Sequence, residues 1–269
     1  MANLIKIILS QDTVSNIVRH DFDGRTEKDS HEFLIWLLIK LAEDSNRGNW
    51  KIDVNIEKYT ENNIKSAAKD YIAKQHRYSS SVVSDVFFSI ICKTTSCNSC
   101  PKTELSFEKQ LDLRVHVHLG DVDLMTSINR YFQLSYGRCS NCTINAGQTT
   151  NIWALPDILI IRPLKDEIIK NSVVPYPVDD LDMRPYLHPE APATSEGTKY
   201  SLYGIVIHLG PSYRTGHFIA KVKNMEGSND LWQLFNDRDV QRIPLDEVKK
   251  APAYILFYER KALCQKKKK

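Results

Sequence analysis

Residues 200–237 read YSLYGIVIHLGPSYRTGHFIAKVKNMEGSNDLWQLFND, and the fold of the chain turns on this stretch. Three runs alternate with the period of two that strands require, over 201–207, 217–223 and 230–235, with Gly and polar residues between them. Joined in order as an antiparallel meander, they bring the start of one strand beside the end of its neighbour. His217, which follows Gly216 at the start of the second run, then becomes a neighbour of Asn236 and Asp237 at the end of the third. A histidine whose ring is held by an amide or carboxylate is the general-base half of a nucleophilic triad, because the partner fixes its tautomer and orientation. An ordinary sheet-edge histidine and an ordinary polar turn fit the same residues.

The chain of 269 residues is 42% hydrophobic and 26% charged, a soluble globular composition long enough to bury a core without disulfides. A formal net charge of +3 is too weak to imply a nucleic-acid partner. The apolar run at the start is broken by Lys6 and lacks the small-residue cleavage site of a signal peptide. No run approaches the roughly 20 apolar residues of a membrane helix. The expectation is a monomer in the cytoplasm, the nucleus or both, with no membrane and no specific nucleic acid as partner.

Four of the six cysteines form two Cys-x-x-Cys pairs, Cys97 with Cys100 and Cys139 with Cys142. Two thiolates three positions apart on a tight turn hold a tetrahedral Zn2+ from one side, and a second such knuckle closes the site. A redox pair and secreted disulfides are the competing readings, but neither a secretory signal nor a thioredoxin-like context accompanies them. A structural Zn2+ is therefore expected. The spacer of about 38 residues is longer than a common zinc ribbon allows and points to a long hairpin excursion between the knuckles. Cys92 lies in an apolar strand run and Cys264 in the tail, so neither has the helix N-terminus or nearby imidazolium that activates a thiol.

Along the rest of the chain, apolar spacing predicts one or two short helices over residues 1–27. Asp29 and Glu32 form a capping-box pattern, and Leu34, Leu37, Leu38 and Leu41 then repeat at helical intervals up to a stop near Asn46 and Gly48. Residues 50–81 read as helix plus exposed loop, 84–92 as a β-prone run, 104–107 and 111–118 as strands, and 123–132 as a helix. His116 and His118 are read as solvent-facing, because four cysteines already complete a zinc shell. Residues 185–197, rich in Pro, Ala, Ser and Thr, read as a mobile loop, and Lys266 to Lys269 as a solvated basic tail.

Several of these strings resemble the ubiquitin-specific proteases, papain-like cysteine proteases that remove ubiquitin. Tyr200, His208, Gly210, Gly216, His217, Phe218, Trp232, Asn236, Asp237 and the closing run 253–258 resemble that family's histidine box. DSHEFL at 29–34 resembles its Gln-Asp-x-His-Glu-Phe signature, with Lys28 in place of the glutamine, and LPDIL at 155–159 its Leu-Pro-x-Val-Leu strand. The family then usually reads His-Leu-Lys-Arg-Phe, whereas this chain continues Arg162, Pro163, Leu164, Lys165, and Pro163 lacks a ladder donor.

The resemblance implies an α+β, papain-like fold with a helical thumb over 1–81, incomplete at its start, zinc-bearing fingers over 82–150, a palm over 151–260 and a tail over 261–269. It implies His217 as base, Asn236 as orienter and Asp237 as a neighbour able to share that role, Zn2+ on Cys97, Cys100, Cys139 and Cys142, and ubiquitin or a ubiquitinated protein as partner. The family's nucleophile sits in a Gly-Asn-Thr-Cys-Tyr box, a string these residues do not contain. The expectation is thiol-dependent hydrolysis after the ubiquitin C-terminus with the cysteine encoded upstream, this chain alone being nearly inert. A catalytically dead ubiquitin-binding module and a zinc-stapled interaction domain are the alternatives.

Overall fold

The computed structural model describes residues 29–48, 56–59, 63–192, 197–212, 215–224 and 231–261. The short helices expected over 1–27, Cys264 and the lysine tail lie outside them. The chain divides into two compact units, Met1–Lys40 and Leu41–Lys269. Helix α1 (Ser30–Asp44) begins where the capping pattern places it, with Asp29 Oδ1 accepting the His31 N–H at 2.6 Å. It stops short of Asn46, whose Oδ1 accepts from the amides of Gly48 and Ser80, both at 3.0 Å.

A five-stranded antiparallel sheet runs in the order β1-β3-β2-β6-β5, from β1 (Ile56–Tyr59), β2 (Ser89–Cys97), β3 (Thr103–Gln110), β5 (Ser135–Arg138) and β6 (Asn145–Ala154). Helix α2 (Ile64–Tyr78), capped by Asn63, covers it with Ile64, Ala67, Ala68 and Tyr71, so residues read as helix plus exposed loop carry a buried face. Phe107 is fully buried at the centre of this core. Its ring stacks on Tyr71 at 5.7 Å and meets Trp153 edge-on at 5.7 Å.

The β-prone reading of 84–92 is corrected over its first half. Val82–Phe87 form helix α3, because Ser81 and Ser84 cap each other reciprocally and that local bonding outweighs strand propensity until Ser89. The segment 185–191 is not a free loop either. Tyr186 is buried with its hydroxyl 2.6 Å from Asn129 Oδ1, and the His188 amide bonds Ile152 O at 2.9 Å.

The second sheet has eight strands, in the order β12-β11-β10-β9-β13-β7-β4 with β8 paired to β9. Its strands are β4 (Asp112–His116), β7 (Ile158–Leu164), β8 (Leu181–Asp182), β9 (Lys199–Ser212), β10 (Thr215–Lys223), β11 (Trp232–Asn236), β12 (Asp239–Ile243) and β13 (Ala253–Arg260). All pairs are antiparallel except β4 with β7. β7 continues through Pro163 because its ladder to β13 spans only Ile158 to Ile161, so the missing donor falls beyond that ladder. Tyr200, Leu202, Ile205, Trp232, Leu256 and Tyr258 build the core, closed by α4 (Leu124–Tyr131) and α5 (Leu245–Lys249).

The chain passes from the smaller sheet to the larger twice, at Leu111 and over 155–157. The second crossing is pinned by buried groups: Tyr200 Oη donates to Pro156 O at 2.6 Å and Arg260 Nη2 to the same carbonyl at 2.8 Å. The boundary expected at 150/151 falls inside β6, and β4, within 82–150, pairs in the larger sheet. No helix among the described residues is long and apolar enough to cross a membrane.

Phe107→Ala is expected to destabilise the chain by about 3–5 kcal/mol, while Tyr136→Ala, at a ring 70% exposed, should stay within about 0.5 kcal/mol of the parent. Urea unfolding followed by tryptophan fluorescence reads both.

Candidate active site and metal cluster

His217 stands on β10 between β9 and β11. The β10–β11 register pairs Ala220 with Phe235, and continuing it sets Asn236 opposite Ile219, so His217 and Asn236 lie diagonally on one face. Their side chains meet, with His217 Nε2 2.6 Å from Asn236 Oδ1. Since an amide oxygen only accepts, Nε2 must carry the proton, and in the neutral ring Nδ1 is then the lone-pair nitrogen. Asp237 sits at the turn into β12 with φ +51°, its carboxylate 80% exposed and 3.8 Å from His217 Nε2. That is beyond hydrogen-bond reach, so the hydrogen-bond partner of Nε2 is Asn236 and not Asp237.

The strand carrying His217 is shaped by glycine. A Cβ at Gly216 would lie 2.3 Å from Leu209 O and 2.5 Å from His208 Nε2, and one at Gly210 would lie 2.4 Å from Thr215 O. Any side chain at either position would push β9 and β10 apart beside the histidine. The buried His208 ring fills this space, 4.5 Å from Phe218 and 5.8 Å from Tyr254 between centroids. The sequence flagged both glycines as part of a motif, but that His208 wedges against Gly216 needed the tertiary structure.

No thiol stands against His217 among the described cysteines. Cys92 is buried in the smaller sheet's core, and burial pushes its thiol up to about 11 despite a hydrogen bond with Thr94. The other four gather at one end of that sheet. Cys97 and Cys100 lie at the β2–β3 turn, Cys139 and Cys142 between β5 and β6, and the pairing of β2 with β6 brings the two turns together. Their Sγ atoms all lie within 4.8 Å of one another, with Cys97 to Cys142 at 3.4 Å and Cys100 to Cys139 at 3.7 Å. A sulfur tetrahedron with metal bonds near 2.3 Å has edges of about 3.8 Å, so the four thiols fit a metal ion.

The hairpin excursion expected between the knuckles is replaced by a longer route. From Cys100 the chain runs through β3, leaves for β4 and α4 beside the larger sheet, and returns by β5. Backbone amides favour thiolate at the cluster: the Asn141 N–H, 3.4 Å from Cys139 Sγ, and the Cys142 N–H lower the Cys139 thiol to about 6, and the Ser99 N–H lowers that of Cys97. Cys142 is drawn down by the Ile144 N–H, but the crowding sulfurs, Cys97 first, push it up to about 12. His116 and His118 are exposed, and neither belongs to the cluster.

Residues 10–258 match the sequence model of the family described as ubiquitin carboxyl-terminal hydrolase. The probable ubiquitin carboxyl-terminal hydrolase 16 of Schizosaccharomyces pombe is 29% identical over 209 residues, covering 70% of this chain and 42% of that protein. Ubiquitin carboxyl-terminal hydrolase 23 of Arabidopsis thaliana is 24% identical over 270 residues, covering 95% of this chain and 28% of that one. A solved structure of the SAGA DUB module, Ubp8 with Sgf11, Sus1 and Sgf73 bound to monoubiquitin, matches with a TM-score of 0.65 at 21% identity, over 90% of this chain and 50% of the chain it matches. This chain therefore spans half or less of the length of these proteins. The structural likeness establishes the α+β protease fold that the motifs implied.

The cluster is expected to take up one equivalent of a thiophilic divalent ion, more weakly as pH falls because protons compete for the sulfurs. Cobalt titration followed by thiolate-to-metal absorption, with Cys139→Ser as control, reads the stoichiometry, and an unchanged titration in that variant would count against a four-sulfur site.

Proposed function

The chain belongs to the ubiquitin carboxyl-terminal hydrolase family, and from that premise we propose that it supplies the base and its orienter to a thiol-dependent deubiquitinase. The reaction is hydrolysis of isopeptide or peptide bonds after the ubiquitin C-terminus. The observation that carries this reading is the 2.6 Å contact of His217 Nε2 with Asn236 Oδ1. With Nε2 engaged by Asn236, Nδ1 is the nitrogen left to take a thiol proton and return it to the leaving amine. The nucleophile itself is read as a thiol outside the described residues, in the cysteine box that the family resemblance implies, since Cys92 is buried and four other thiols share the cluster.

We read the cluster ion as structural Zn2+, held by Cys97, Cys100, Cys139 and Cys142 at the tip of the fingers. The region 82–150 is assigned to fingers, 151–260 to palm and 1–81 to thumb. Ubiquitin is the proposed partner, in the cytoplasm, the nucleus or both. In support, solved neighbours of this fold are bound to monoubiquitin and to ubiquitin aldehyde. Those neighbours sit among Sgf11, Sus1 and Sgf73, which weighs against the expected monomer. A module that binds ubiquitin without cleaving it is the second reading, favoured by the setting of the described thiols.

The 269-residue chain is expected to bind ubiquitin in calorimetry and to leave a fluorogenic ubiquitin C-terminal amide at the uncatalysed rate. With a segment bearing the thiol box joined ahead of it, His217→Ala should lower kcat/KM by about 10³-fold or more and Asn236→Ala by less, with ubiquitin affinity held. Full activity in His217→Ala would sink the catalytic reading; absence of ubiquitin binding would sink both readings.

A further inference from the structure

Lys170 is a buried cation, 6% exposed, placed just after the turn Glu167–Ile169 that follows β7. Its Nζ donates to Gly210 O at 2.7 Å and to Ser212 O at 2.9 Å. Both carbonyls belong to the last residues of β9. The ladder from β13 to β9 reaches only as far as Ile207, so this tip has lost one neighbouring strand. On its other side it faces Thr215, Gly216 and His217.

The tip is irregular. Thr215 pairs with Ser212 and His217 with Leu209, which leaves Gly210 and Pro211 opposite Gly216 alone. Two residues against one make a β-bulge, which turns the strand and re-aims the side chains next to it. Gly210 and Gly216 bring no side chain to the bulge, and Pro211 restrains only its own φ and brings no N–H to hold the strand pair. Lys170 supplies a hold from outside. A carbonyl that swung away would leave part of a buried ammonium unsatisfied, which strongly disfavours the move.

We propose that Lys170 is a positioning residue for His217. By holding the carbonyls of Gly210 and Ser212 it fixes the bulge, and with it the direction of the backbone through Gly216 that lets the imidazole reach Asn236. This rests on the reading of His217 as the base. Lys170 touches no reacting atom and acts only through the strand pair.

The test uses the 269-residue chain uniformly labelled with nitrogen-15, so that histidine rings and backbone amides both report. In the parent, His217 is expected as a single Nε2–H tautomer with a protected ring proton, and Asn236→Ala should abolish that protection. Lys170→Met should mix the tautomers, broaden the ring proton and speed amide exchange at Gly216 and His217 by about tenfold or more, and Lys170→Arg, which keeps the charge and the donors, should restore the parent signature. Where Lys170→Met does not fold, Lys170→Gln, with one amide group in place of the ammonium, is read against the same signature. A folded Lys170→Met or Lys170→Gln chain with the His217 signature of the parent overturns this inference while leaving His217 as base. A parent chain with no protected Nε2–H overturns the reading of His217 and this inference together.

Discussion

The contact between His217 and Asn236 exists because three antiparallel strands hold one register. β9 sets β10, β10 sets β11, and the two side chains end diagonally on the same face. A slip of one residue anywhere in that ladder would turn the imidazole to the opposite side of the sheet, since side chains alternate with a period of two. The core under these strands makes such a slip unfavourable. Trp232 and Ile205 are buried, and the same slip would carry them into water.

The smaller sheet solves a different problem by the same means. Its four thiols come from turns separated by a β-strand of the other sheet and a helix, and only the pairing of β2 with β6 places them at one end. The crossings between sheets must then stay fixed, and at 155–157 Tyr200 and Arg260, both buried, hold the Pro156 carbonyl. A buried guanidinium is tolerated there because backbone carbonyls take its protons.

Local signals were legible where a residue bonds near itself. Asp29 begins a helix because its carboxylate reaches an amide two residues on, and Asp123 does the same for α4 by accepting from Thr126 N at 2.8 Å. The alternating runs of β9, β10 and β11 read plainly for the same reason. The signal misled where two local preferences competed. The β-branched and aromatic residues around Val86 to Phe88 favour strand, but the Ser81 and Ser84 cap commits Val82–Phe87 to helix first. Tyr186, embedded in a proline-rich stretch, reads as loop, and its burial depends on Asn129 far along the chain.

By itself, the sequence determined the alternating runs and the two cysteine knuckles, because each follows from a spacing matched to backbone geometry, and it made His217 and Asn236 neighbours on the condition that those runs pair in order. Only the tertiary structure decided that Nε2 faces Asn236, that Asp237 stands too far to bond, that His208 wedges against Gly216, and that Lys170 is buried on two β9 carbonyls. These are meetings of groups brought together by a hydrogen-bond ladder between strands. The period of a strand fixes which way its side chains point, but not which part of the chain lies across from them.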